Sequence, residues 1–335
     1  MLTIVMYHYV RDLKRSRFPR IKGLEIELFR QQLQYLRRHY APVTMEQVIA
    51  ATQCAQSLPA NPVLLTFDDG YADHFQFVLP VLEEMGIQGS FFPPARACLE
   101  NRVLDVNKVH YVLASVDDAE MLAASILVML EEFRGTYPIE SNDAYLERYA
   151  KPSRFDPPEV IFIKRMLQVG LPEPVRNAIT EELFHRHVTD DEAAFAAELY
   201  MSIDQLRWLV RRGMYVGSHG YDHYWLDSLD RANQERQIDL SLDFLRRLGC
   251  DTRNWTMCYP FGAWNESLLS ILRQRGCRLG LTTRVDLADM RSDPLTLPRL
   301  DTNDLSKSAV APPNAWTVAA RSSDPGGTSP VARVA

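Results

Sequence analysis

Residues 64–71 read LLTFDDGY. An apolar run, Val63-Leu64-Leu65, climbs into two adjacent aspartates and a glycine, Asp68-Asp69-Gly70. The run reads as a buried strand, and the glycine as its end. Two like charges side by side repel, and each loses hydration beside a core. Such a pair survives where something else needs it, and a metal cation is the usual candidate.

Outward from this stretch, strand-like runs and helical patterns alternate, which predicts a mainly parallel α/β architecture. LTIVMYHYV (2–10) reads as the first strand and LEIELFRQQLQYLRRHY (24–40) as a helix. A short helix over 43–51 leads into the aspartate strand. FVLPVLEEMG (77–86) is a helix closed by Gly86, and QGSFFP (88–93) is a third strand. After Arg96 the rhythm stops, and residues 97–200 read as a helical insertion. It resumes at 201: Ser202 caps a helix, MYVGSH (214–219) is a strand, and ANQERQIDLSLDFLRRLG (232–249) is an amphipathic helix. WTMCYPFG (255–262), ESLLSILRQRG (266–276), RLGLTT (278–283) and LTLPRLD (295–301) continue the alternation. Residues 1–96 and 201–305 therefore form one α/β domain. Over 306–335 Pro, Gly, Ser and Ala dominate, which predicts a disordered tail.

The 335 residues are 46% hydrophobic and 24% charged, as in an ordinary globular protein of one or two domains. A net charge of −6 argues against nucleic acid or an anionic membrane as partner. The start, MLTIVMYHYV, lacks the pattern of an export signal. The longest apolar stretch, Met121–Leu130, is too short for an integral membrane segment. A cytoplasmic chain is the expectation. Five scattered cysteines (Cys54, Cys98, Cys250, Cys258, Cys277) show no metal-type spacing and fit core packing in a reducing compartment.

The second informative stretch is SHGYDH (218–223), directly after a strand. His219 and His223 lie four apart, a spacing that puts both on one face of a helical turn. With a strand-end carboxylate they make a two-histidine, one-carboxylate set with open positions, suited to Zn²⁺ or another divalent first-row metal such as Co, Ni or Mn. One aspartate suffices as ligand, which leaves the other as a general base. Read alone, the histidine pair fits a hydrogen-bonded surface turn equally well, and DDG a turn.

TFDDGY, GSHGYDH and YPFG, in that order, resemble the motifs of NodB-type polysaccharide deacetylases, carbohydrate esterase family four. The resemblance covers roughly residues 1–96 and 201–301. It implies a distorted (β/α)7 barrel, a relative of the TIM barrel, with its site at the carboxyl ends of the strands. It implies Asp68 as catalytic base, Asp69, His219 and His223 as metal ligands, and the backbone N–H of Phe261 as oxyanion donor. His8 resembles the early histidine with which poly-N-acetylglucosamine deacetylases protonate the leaving amine; a structural role is its alternative. Where the family's R-x-P-[FY] motif has arginine, this chain has Cys258, and Arg299 is the candidate to orient the base instead. Tyr71, Trp225 and Trp264 are candidates for a sugar subsite, or for the core.

An insertion after a barrel strand is expected over or beside the mouth, as a cap, or as the interface of a homodimer. A cap favours a small substrate, so the expected reaction is removal of an N-acyl group, acetyl first, from a nucleotide- or lipid-linked amino sugar during bacterial surface polysaccharide synthesis. Two alternatives are a non-sugar amide or imide hydrolase of the same superfamily and a catalytically inactive carbohydrate-binding scaffold.

Overall fold

The strand that carries the aspartates is buried along its whole length because it has a partner on each side. In the computed structural model, which describes residues 1–53 and 56–322, this is β2 (Pro62–Asp68), after β1 (Thr3–Tyr7). The two run parallel from Thr3↔Val63 to Tyr7↔Phe67. On its other edge β2 pairs in parallel with β3 (Gly89–Phe92), from Leu65↔Gly89 to Asp68↔Phe92. A strand flanked in this way reads as an unbroken apolar run, without the alternation of a half-exposed one.

Four more strands complete the ring: β4 (Tyr215–Val216), β5 (Thr256–Cys258), β6 (Leu279–Leu281) and β7 (Leu300–Asp301). β3 pairs with β4, Ser218 bridges in parallel to Met257, and β5 pairs with β6. Leu281 then bridges to Leu297, and β7 returns to β1 at Val5↔Leu300. Seven parallel strands thus close in chain order into a (β/α)7 barrel. It is distorted because β4 and β7 are two residues long and two of the seams are single bridges.

Local chemistry sets the ends of the helices around this ring. Thr44 and Gln47 form a capping box on helix Met45–Thr52, and Ser202 and Gln205 form another on helix Ile203–Arg211. Gly86 and Gly249 close helices Leu79–Met85 and Arg231–Leu248 in the left-handed conformation. The barrel unit comprises Met1–Asp12, Gly23–Glu100 and the chain from Ala197 on.

The second unit comprises Leu13–Lys22 and Asn101–Ala196. The short segment 13–22, read from sequence as part of the α/β domain, belongs here because Phe18 packs edge-on against Tyr111 and Phe195. Lys22 and Lys164 share Asp156. Lys108, almost wholly buried, is neutralised by Glu181 and by Glu192 at 3.1 Å. Helices Asp105–Ser115 and Glu173–His187 bury Val109, Val112, Ile179 and Leu183.

Residues 306–322 depart from the expected disorder. Helix Ala315–Ser322 is anchored by the buried Thr317, whose hydroxyl lies 2.7 Å from that of Tyr35 and 2.9 Å from that of Tyr40. Composition misleads here because two hydrogen bonds to distant tyrosines, not apolar content, fasten the segment. Residues 323–335, the rest of the expected tail, lie outside the described residues, as does Cys54. Cys98, Cys258 and Cys277 are buried free thiols. No helix among the described residues is long and apolar enough to cross a membrane.

Candidate active site

β2 ends on Asp68, and the next two residues both turn left-handed: Asp69 has φ 70° and Gly70 φ 66°. Gly70 is obligatory, since a Cβ there would stand 2.7 Å from Pro93 Cβ. This turn sends the two carboxylates in different directions, which is how neighbouring like charges coexist.

Asp68 points to Arg299, whose side chain is completely buried. Arg299 Nη1 donates to Asp68 Oδ1 at 2.9 Å, and Nη2 lies 2.8 Å from Oδ2. The same guanidinium donates to the Thr282 carbonyl at 2.9 Å and to Thr66 Oγ1 at 3.1 Å. Burial alone would raise the Asp68 pKa; Arg299, with His219 and His8 behind it, overrides that and brings it down to about 2. Cys258 sits in the same corner, buried beside Asp68 and His219, and burial pushes its thiol up. A small neutral side chain therefore faces the base from β5, and the guanidinium arrives from just before β7.

Asp69 points the other way. Its Oδ1 lies 3.4 Å from His219 Nε2 and 3.2 Å from His223 Nε2, and its Oδ2 accepts from the Tyr71 hydroxyl at 2.6 Å. Burial works against the charge, but the two facing imidazoles hold the carboxyl well below the usual range. His219 donates from Nδ1 to the Cys258 carbonyl at 2.7 Å, which fixes the ring with its Nε2 towards Asp69. Burial opposes a charge on either ring; the neighbouring acceptors raise His219 above the ordinary histidine range, and His223 stays below it.

These three side chains fit a divalent cation. Asp69 Oδ1 is buried without a hydrogen-bond partner, and the three ligand atoms all lie within 4.8 Å of one another. Two imidazoles and a carboxylate are donors that zinc and its first-row neighbours accept. The route to this arrangement differs from the helical turn that the spacing predicts. Residues 219–223 form an irregular loop, with Gly220 at φ 73° and His223 at φ 60°. Strain marks the site more broadly: of the five non-glycine residues with positive φ among those described, Asp69, His223 and Phe261 are three.

His8 follows β1, is 40% exposed, and holds its Nε2 3.9 Å from Asp68 Oδ2. Phe261, at φ 57°, lays its ring against His223 at 4.8 Å and stacks on Trp225 at 4.7 Å. Trp264 is 37% exposed. Of the two roles the sequence leaves open for Tyr71, sugar subsite or core, its complete burial fits the core, and its hydroxyl donates to Asp69. Burial and the nearby carboxylate raise its pKa, so the hydroxyl stays a donor. Tyr71→Phe should weaken metal affinity about tenfold, the usual scale for an outer partner of a ligand, as chelator competition would show.

One residue the sequence left without a role is His74, inside a single π-helical turn, His74–Val78. It is buried, which lowers its pKa to about 4, and as the neutral ring its Nε2 donates to the His8 carbonyl at 2.8 Å. It therefore fixes the backbone of His8. A lone histidine in a helical pattern carries no local signal of this contact.

Comparison with known proteins bears on these features. A family model described as polysaccharide deacetylase matches residues 185–280, which hold both histidines and YPFG but not the aspartate pair. Poly-beta-1,6-N-acetyl-D-glucosamine N-deacetylase of Escherichia coli (strain K12) is 32% identical over 80 residues, 24% of this chain and 12% of that protein. The chain thus spans only about an eighth of the length of that curated relative. Among solved structures, IcaB from Ammonifex degensii superimposes with a TM-score of 0.53 at 20% identity, over 96% of this chain and 97% of that one. The Streptococcus pyogenes deacetylase PplD gives 0.54 at 16% identity, over 90% and 91%. The chain is thus similar to polysaccharide deacetylases across the histidine loop, residues 185–280, and shares its fold with these solved structures.

Proposed function

We propose that this protein is a metal-dependent hydrolase that removes an N-acyl group, acetyl first, from an amino sugar of a bacterial surface polysaccharide or its precursor. One observation carries this reading: a buried Asp69–His219–His223 ligand set lies beside a second carboxylate, Asp68, that a buried arginine keeps ionised.

A divalent cation, zinc by preference of the donors, supplies Lewis acidity to the amide carbonyl and lowers the pKa of water. Asp68 accepts the proton of the attacking water, and Arg299 holds both of its oxygens in place for that transfer. The backbone N–H of Phe261 takes the role of oxyanion donor, as the family resemblance implies. His8, across from Asp68, delivers a proton to the leaving nitrogen as the C–N bond breaks, so that carboxylate and free amine depart. His8→Asn is expected to lower kcat by about 10²- to 10⁴-fold, the range for a general acid, with metal content unchanged by elemental analysis. Loss of metal with activity would make His8 a ligand or its support.

The substrate reading has two sources. The E. coli relative is named for poly-beta-1,6-N-acetyl-D-glucosamine, which supports an N-acetylated hexosamine. The long insertion on the connection from β3 to β4, at the carboxyl end of a barrel strand, is the reason for including a smaller nucleotide- or lipid-linked form. Acetate release by the zinc-loaded protein from β-1,6-linked N-acetylglucosamine oligomers, nucleotide-linked and lipid-linked N-acetyl sugars separates these, with Asp68→Asn as control. Release from a non-sugar amide or imide alone would overturn the sugar assignment.

A further inference from the structure

Helix Arg231–Leu248 breaks its own pattern on the buried face. Gln234, Gln237 and Ser241, spaced i, i+3 and i+7, occupy positions where an amphipathic helix places apolar side chains, and all three are buried. Polar groups in a core cost stability unless they are hydrogen-bonded, so what they hold matters. Each holds a different part of the same loop.

Ser241 Oγ lies 2.8 Å from Ser218 Oγ and itself donates to the Ile238 carbonyl, so Ser218 is the donor between them. Ser218 Oγ in turn accepts from the N–H of Gly220 at 3.2 Å. Gln237 Oε1 accepts two consecutive backbone N–H groups, those of Tyr221 at 3.1 Å and Asp222 at 2.9 Å, while its Nε2 donates to Asp222 Oδ2 at 2.5 Å. Gln234 donates to the Leu226 carbonyl at 2.8 Å. From the opposite side, the N–H groups of Ala95 and Arg96 donate to the carbonyls of Gly220 and Tyr221, and Arg96 Nη1 donates to Asp222 Oδ1 at 3.0 Å.

We propose that this polar stripe, with Gln237 at its centre, is a positioning device for the metal-ligand loop. This rests on the metal reading of the site given above. The loop between His219 and His223 has no regular structure to hold it, and it contains two left-handed residues. Its peptide groups between the ligands are taken up by Gln237 on one flank and by residues 95 and 96 on the other. The two imidazoles therefore meet Asp69 already placed, and no folding of the loop is left to be driven by the ion. An apolar side chain at 237 would leave two partly buried N–H groups without their acceptor and release the loop.

The test uses the full chain, stripped of metal. Gln237→Met keeps side-chain length and helix propensity but removes the hydrogen bonds. Zn²⁺ affinity by chelator competition is expected to fall about tenfold or more. The visible absorption of the Co²⁺-loaded variant should change in intensity, because ligand geometry has relaxed. Leu245→Ala, a core truncation on the same helix, should lower the thermal midpoint of the metal-free protein with Zn²⁺ affinity retained. Should Gln237→Met fail to fold, Arg96→Met and Ser241→Ala loosen the two flanks separately, and each should lower affinity. A change of less than about threefold in folded variants, with an unaltered Co²⁺ spectrum, would overturn the proposal, since outer partners of ligands act on a larger scale. If Zn²⁺ binds the parent chain and Asp69→Asn abolishes it, a negative result at Gln237 falls on the stripe alone; if Asp69→Asn changes nothing, the metal reading itself fails.

Discussion

Asp69→Asn is expected to abolish hydrolysis, with activity below about a thousandth of the parent, because the proposed Asp69–His219–His223 metal set would lose its carboxylate. The substitution is nearly isosteric, and the Tyr71 hydroxyl can still donate to the amide oxygen, so the fold should survive. What should vanish is linkage: if the set holds Zn²⁺ as proposed, the added ion should raise the thermal midpoint of the parent protein by binding the folded state, and should leave that of the variant in place. Elemental analysis and a melting curve with and without Zn²⁺ check this together. A variant that keeps stoichiometric metal and activity would remove Asp69 from the ligand set.

Arg299→Met should be nearly as damaging, for a different reason. The guanidinium is wholly enclosed and meets both oxygens of an equally enclosed carboxylate. Removing one member of a buried pair leaves the other charged and unpaired, at a cost of about 3–5 kcal/mol. The chain can relieve this by protonating Asp68. Burial then dominates, and the pKa climbs from about 2, because the chief opposing influence is gone. The sign follows: a depressed carboxyl supports folding above its unfolded pKa and loses that support as pH falls through the folded value. In the variant burial lifts the folded pKa above the unfolded one, so the sign reverses: stability falls as pH rises from the unfolded value to the folded one, and the acid limb of the rate profile moves to higher pH. A kcat deficit of about 10²-fold or more at neutral pH, on the scale of a lost general base, should accompany the shift. The double variant Asp68→Asn/Arg299→Met should regain part of the stability and none of the activity. An unchanged profile in Arg299→Met would reduce the arginine to an inert structural ion.

The candidate site was legible where its chemistry lies in contiguous residues. TFDDGY and SHGYDH announce their ligands because the fold needs them at strand ends, and strand ends are adjacent to apolar runs that periodicity detects. Supports were not legible in the same way. Tyr71 reads as an aromatic near a site, for a sugar or for the core; its complete burial, with the hydroxyl on Asp69, favours the core. His74 has no local signal, since its partner is the carbonyl of His8, just past β1 and 66 residues away along the chain. Gln234, Gln237 and Ser241 did leave one, as polar residues on the apolar face of a helix, and such local conflicts tend to fall at functional sites.

By itself, then, the sequence determined the alternation of strands and helices, the pair of carboxylates and the two imidazoles, because each is encoded within a turn or two of the chain. The family resemblance adds which carboxylate goes with the arginine and which with the histidines, and the tertiary structure places them so. Tertiary structure also decided that Thr317 fastens a segment whose composition signals disorder. The reason is closure of the ring: hydrogen-bonded seams bring residues near 8, 68, 219, 258 and 299 to one place, and separation along the chain carries no record of that proximity.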